Sequence, residues 1–188
     1  MHLILGSQSP RRKKILEAMG YEVEVKPSHI DESAIRSEDP TQLALLLARA
    51  KSDALLPTLT SPAVLVTADL IVVWNGQIRE KPTSPDEARQ FLRECSQAEC
   101  ICIAGVTVTD LATKNRREGT DRASIWFDPI PDELIDELIA SGDVYGWGGG
   151  FEASDPRMRP YVTRTTGEME TIMGLPKTLT KKLLLEIL

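Results

Sequence analysis

The chain has 188 residues, with 22 Lys+Arg against 28 Asp+Glu, a formal charge of −6 and only two histidines, His2 and His29. That length can bury a core as one domain, 1–188, and 41% apolar with 27% charged residues describes a globular chain, not a disordered one. The acidic balance speaks against nucleic acid as a partner, and the histidine shortage against a His-rich zinc site or a Ser-His-Asp triad, so any chemistry falls to carboxylates, Lys and Arg.

His2–Leu5 (HLIL) reads as a short buried strand that runs through Gly6-Ser7-Gln8 into a helix. Ser9 is its expected N-cap, Pro10 its first residue, and Gly20 its stop. YEVEV (21–25) alternates like a half-buried strand. Pro40 opens a helix whose apolar positions are Leu43, Leu46, Leu47, Ala50 and Ala54. Residues 63–74 are strongly β-forming, and Asn75-Gly76 is a favoured hairpin turn. A capping box at Ser84-Pro85-Asp86-Glu87 starts a helix that runs to about Cys95. Strands are expected near 100–109 and 120–127, joined by LATKNRREG, then a helix over Pro131–Ile139 closed by Gly142. Residues 143–160 are rich in Gly and Pro, have no period and read as a long functional loop or an irregular hairpin. A strand near 161–166 and a helix from about Leu175 complete an α/β pattern, a mixed β-sheet flanked by helices.

The N-terminus has neither the charged start nor the long apolar stretch of a signal peptide, and no window reaches the ~20 apolar residues of a membrane span. Cys95, Cys100 and Cys102 are odd in number and lack a paired C-x2-C knuckle. They read as buried thiols of a cytoplasmic protein, not as a disulfide framework or a metal site.

Several positions carry chemistry. The loop Gly6–Arg12 leads from a strand into a helix N-terminus, which offers free backbone N–H groups and the positive end of the dipole. Arg11 and Arg12 are unfavourable to that dipole unless an anion such as a polyphosphate offsets them; the plain alternative is a well-capped helix with solvated arginines. Lys51 lies along the edge of an apolar stripe, where it either snorkels to water or points into a cleft. Asp69 interrupts a β-forming run, so a buried carboxylate there needs a Mg²⁺ ion or a lysine, unless it caps a nearby backbone group. Lys81 follows the hairpin and is a candidate to point back to the same end of the sheet. Asp31-Glu32 are loop acids whose default is solvation. Glu152 sits in WGGGFEASDP, where glycines permit close approach to a ligand or simply make a flexible loop.

Together and in this order, these segments resemble the Maf family of nucleoside triphosphate pyrophosphatases. LILGSQSPRRKKILEAMGYEVEVKPSHIDES resembles the family's opening loop, helix, strand and Asp-Glu loop. RAKSDA resembles its lysine helix, TADLIVVWNGQIREKP its Asp-bearing strand pair, and MGLP at 173–176 its closing turn. The resemblance implies a mixed sheet in two lobes with a nucleotide cleft, as in inosine triphosphate pyrophosphatases. It implies that Ser7, Arg11, Arg12, Lys51, Lys81 and Glu152 bind the nucleotide and its phosphates. Glu32 and Asp69 would be the catalytic carboxylates and would hold Mg²⁺ or Mn²⁺. The implied reaction is hydrolysis between the α- and β-phosphates, with a house-cleaning role. Homodimers are common in such families. Thr67-Ala68-Asp69-Leu70 and Gly150-Phe151-Glu152-Ala153 depart from the usual pattern, so the base is left open between 7-methyl-GTP-like and dTTP/UTP-like. The alternative reading is a nucleotide-binding regulator of cell division and septum formation without catalysis.

Overall fold

The computed structural model describes residues 2–59 and 62–187. β1 (His2–Leu5) and β2 (Glu22–Val25) flank α1 (Pro10–Ala18), and α2 (Pro40–Leu55) precedes the long strand β3 (Val64–Trp74). β4 (Gln77–Arg79) returns along β3, and α3 (Pro85–Glu94) leads to the hairpin β5 (Cys100–Asp110) and β6 (Arg116–Phe127). α4 (Asp132–Ser141), β7 (Val162–Thr166), α5 (Met169–Ile172) and α6 (Lys177–Leu185) follow. The seven-stranded sheet runs β2-β1-β3-β5-β6-β7, with β4 on β3. β1 is parallel to both β2 and β3, and all other pairings are antiparallel.

The caps act as their side chains dictate. Ser9 Oγ accepts from the Arg12 amide, with Pro10 in the first turn. Asp39 caps α2 through the amides of Thr41 and Gln42. Ser84 caps α3 through the Glu87 amide, and Glu87 reaches back to the Thr83 amide at 2.7 Å. At the β3–β4 turn Asn75 and Gly76 both have positive φ, 48° and 75°, as a two-residue hairpin with the strands' twist requires.

β3 positions the site. One edge pairs with β5 along its whole length. The other edge is shared: β1 takes Val64–Val66 and β4 takes Val72–Trp74. Between these two partners the sheet forks, and residues 67–71 have no strand beside them on that edge. The core divides at the same place. Val64, Val66 and Ala68 pack with β1, α1 and α6, whereas Val72 packs with α3, α4 and the 144–158 segment. Alternation sends Thr67, Asp69, Ile71 and Val73 to the opposite face, toward α2. Asp69 therefore stands at the fork, on the α2 side.

The structure differs from expectation at three element boundaries, in the buried stripe of α2 and in the 143–160 stretch. β6 begins at Arg116, not near 120, because pairing with β5 continues through Arg116↔Thr109 despite the polar sequence. The buried stripe of α2 is Leu43, Ala44, Leu47, Ala48, Lys51, Ser52 and Leu55; Leu46 and Ala54 are exposed. α4 starts one residue late, since Pro131 is extended and acts as N-cap. The last helix begins at Lys177, after Pro176, and the 143–160 stretch contains short 3₁₀ turns at Asp143–Gly146, Gly148–Gly150 and Arg159–Tyr161.

Candidate active site

The fork opens into a cavity of about 950 Å³. Its lining includes the Gly6–Arg12 loop at the N-terminus of α1, Lys81 and the end of β4. Glu32, Lys51, Asp69, Trp147 and Gly148 also line it, with Glu80 and Asp143. Of the eight site residues expected from sequence, seven line this cavity: Ser7, Arg11, Arg12, Glu32, Lys51, Asp69 and Lys81. Glu152 does not reach its wall; it lies behind Arg11.

Lys51 does not snorkel. Its side chain is in the middle of the buried stripe of α2 and Lys51 is 7% exposed, as is Asp69. The ammonium donates to Asp69 Oδ1 and lies 2.8 Å from Glu32 Oε1, so one cation holds two carboxylates from separate segments. Asp69 thus has a lysine partner and is neither a strand break nor a backbone cap. Glu32 begins a 3₁₀ turn capped by Asp31, whose Oδ1 accepts from the Ser33 amide. Burial pushes the Glu32 carboxyl up, but the hydrogen bond and charge of Lys51, with the charges of Lys81 and Arg12, outweigh it and hold the group below its ordinary value.

The two arginines of α1 differ. Arg12 is a strut: Nε donates to Gly174 O at 2.9 Å, and Nη1 to Ala68 O at 2.7 Å and Ser7 Oγ at 3.2 Å. Ala68 O is a carbonyl on the edge of β3 that the fork leaves without a strand partner. Burial lowers the Arg12 pKa, against the opposing pull of Asp69 and Glu32, yet a guanidinium keeps its proton under any ordinary condition. Arg11 pairs with Glu152, Nη1 to Oε2 at 2.6 Å, its one ion pair among the described residues. Its Nε is buried and has no hydrogen-bond partner among the described residues. Glu152 Oε1 accepts from the Ser154 amide and hydroxyl, so WGGGFEASDP is a folded support rather than a flexible loop at that residue.

The structure also brings in residues that sequence reasoning passed over. Arg36 and Arg79 add cations to the wall, with Arg36 3.7 Å from Glu80. Arg79 stacks over Trp74 and Phe91 and pairs with Glu94 at 2.6 Å. Its strand position facing two aromatics was the available signal. Trp147, Leu70 and Ile78 supply apolar wall. Trp147 sits in the stretch without periodicity, where nothing local marks it.

A divalent cation fits the donor set here. Glu32 and Asp69 are hard oxygen donors already gathered on one positive charge. No group of three metal-ligating side chains occurs among the described residues. Mg²⁺ commonly takes one or two carboxylates and completes its shell with substrate phosphates and water.

Residues 2–187 match the family described as Maf-like protein. The chain belongs to this family. Among its Maf relatives, the 7-methyl-GTP pyrophosphatase of Dictyostelium discoideum is 41% identical, over 98% of this chain and 96% of that protein. The dTTP/UTP pyrophosphatase of Syntrophus aciditrophicus is 32% identical over 93% and 84%, and a nucleoside triphosphate pyrophosphatase of Thermosynechococcus vestitus 30% over 98% and 92%. A solved dITP/XTP pyrophosphatase from Mycobacterium abscessus is 15% identical, covers 70% of this chain and 76% of its own, and has a TM-score of 0.38.

Proposed function

We propose that this Maf protein hydrolyses a nucleoside triphosphate between its α- and β-phosphates, giving the monophosphate and pyrophosphate. The observation that carries this reading is the Glu32–Lys51–Asp69 cluster in the same cavity as the Gly6–Arg12 loop. Amides of the loop, the N-terminus of α1, Arg11 and Lys81 bind the negative phosphates and offset charge on the departing pyrophosphate. Arg12 keeps that loop against β3 and the Gly174 turn. Asp69 and Glu32 would hold Mg²⁺ or Mn²⁺, which when bound polarises the α-phosphate and acidifies a water. Asp69 also orients the water and accepts its proton, which removes the need for a histidine base.

The base rests on the apolar wall of Leu70, Ile78 and Trp147. We favour a 7-methyl-GTP-like substrate, a preference supported by the 41% identity to the enzyme named for that activity. The reading expects a cytoplasmic enzyme acting on free nucleotides, and a homodimer is what the family resemblance implies. The three buried free cysteines suit a reducing compartment, and no described helix is long and apolar enough to cross a membrane. The test is a panel of 7-methyl-GTP, GTP, dTTP and UTP, each with Mg²⁺, Mn²⁺ or EDTA, scored for pyrophosphate. Release from 7-methyl-GTP above the others, lost in EDTA, is expected. Nucleotide binding without release from any of them would replace the enzyme with the regulator.

A further inference from the structure

The Lys51 ammonium occupies the position between Glu32 and Asp69 that the proposed reaction gives to a divalent cation. Lys51 is the cation bonded to both carboxylates, and the charge of Arg12, which acts on both, and that of Lys81, which acts on Glu32, add to it. Lys51 reaches this position from the buried stripe of a capped helix, with little freedom to withdraw to water. For a metal ion to engage both carboxylates in the free protein, the ammonium must give up both acceptors and stay buried without an anion, which is strongly unfavourable. The other charged groups of the lining are the cations Arg11, Arg12, Arg36, Arg79 and Lys81 and two carboxylates already paired elsewhere, Glu80 with Arg36 and Asp143 with Arg157. A triphosphate would remove the obstacle, because its oxygens would accept the Lys51 ammonium and leave Glu32 and Asp69 free to hold the cation.

From this geometry we infer that Lys51 is a built-in counter-cation: it keeps the nucleotide-free site from loading metal, so that cation and triphosphate enter together. This rests on the metal-dependent reading above and adds an order of binding to it. Linkage makes the effect reciprocal, so metal and nucleotide each tighten the other by the same factor.

The test measures Mn²⁺ binding to the full chain by electron paramagnetic resonance, with no turnover involved. Wild type is expected to bind Mn²⁺ weakly alone and at least about tenfold tighter with an α,β-methylene triphosphate analogue. Lys51→Met is expected to bind Mn²⁺ without nucleotide at least about tenfold tighter than wild type, an effect of the size usual for coupled sites. Lys81→Met removes the same charge from the same cavity, but Lys81 bonds neither carboxylate, so it should gain much less. Equal gains for both variants, or none for Lys51→Met, would overturn the inference. So would tight Mn²⁺ binding by nucleotide-free wild type, which decides the matter if Lys51→Met does not fold. Pyrophosphate release that survives EDTA removes the underlying metal reading instead. Metal-dependent release with unchanged Lys51→Met affinity removes only the order of binding.

Discussion

The pair Arg11–Glu152 ties the Gly6–Arg12 loop to a segment far away in sequence, and its strength can be worked out from its contacts. Glu152 is 8% exposed and receives Arg11 Nη1 at 2.6 Å, the Ser154 amide at 3.0 Å and the Ser154 hydroxyl at 2.6 Å. Removing one partner of a fully buried ion pair costs about 3–5 kcal/mol. The Arg11 side chain is 30% exposed and regains some water, so Glu152→Met should cost about 2–3 kcal/mol. In a chain of this size that lowers Tm by about 4–12 °C. Arg11→Met strands the carboxylate instead and should cost a similar amount. In the double variant no charge is left unpaired, so the loss falls short of the sum by about 2 kcal/mol. Urea unfolding of the four proteins gives this coupling directly. Additive losses, within about 0.5 kcal/mol, would mean the two side chains do not hold each other.

Two more outcomes follow from the same packing and electrostatics. At Gly105 in β5, a Cβ would lie 2.7 Å from the Leu45 amide nitrogen and closer still to the Ala44 carbonyl, so backbone would have to move. Gly105→Ala should cost about 1–3 kcal/mol by overpacking and push α2, with Lys51, away from Asp69. Activity should then fall more than thermal melting at the assay temperature explains, and wild-type kinetics would contradict this. Glu32 has a depressed folded pKa, so its stabilisation is complete above the ordinary value of 4.5 and is lost as pH falls through the lower folded value. The stability gap between wild type and Glu32→Gln should hold from neutral pH down to 4.5 and shrink below it. A gap that widens with acid would reverse the sign.

Much of the fold is written locally. Ser9-Pro10, Asp39-Pro40 and Ser84-Pro85 each combine a capping side chain with a residue suited to the first turn, and all three helices start there. Asn75-Gly76 demands a tight hairpin and makes one. Where tertiary pairing decides, local pattern stops informing: the polar start of β6 is held by β5, and the true stripe of α2 is set by what faces it. The site shows the same division. Asp69 was legible because a carboxylate in an apolar strand needs a partner, and the partner is Lys51. Glu32 looked like a solvated loop acid, because only the fold brings its turn to α2. Sequence could not separate Arg11 from its neighbour Arg12; one is tied to carbonyls of β3 and the Gly174 turn, the other to Glu152. The fork itself, two strands sharing one edge of β3, has no local signature.

The most direct test is product analysis by ³¹P NMR of 7-methyl-GTP turned over with Mg²⁺ by wild type and Asp69→Asn. The account predicts equimolar monophosphate and pyrophosphate from wild type, and neither from a variant that still unfolds cooperatively. Diphosphate with orthophosphate, or an Asp69→Asn protein as active as wild type, would contradict it.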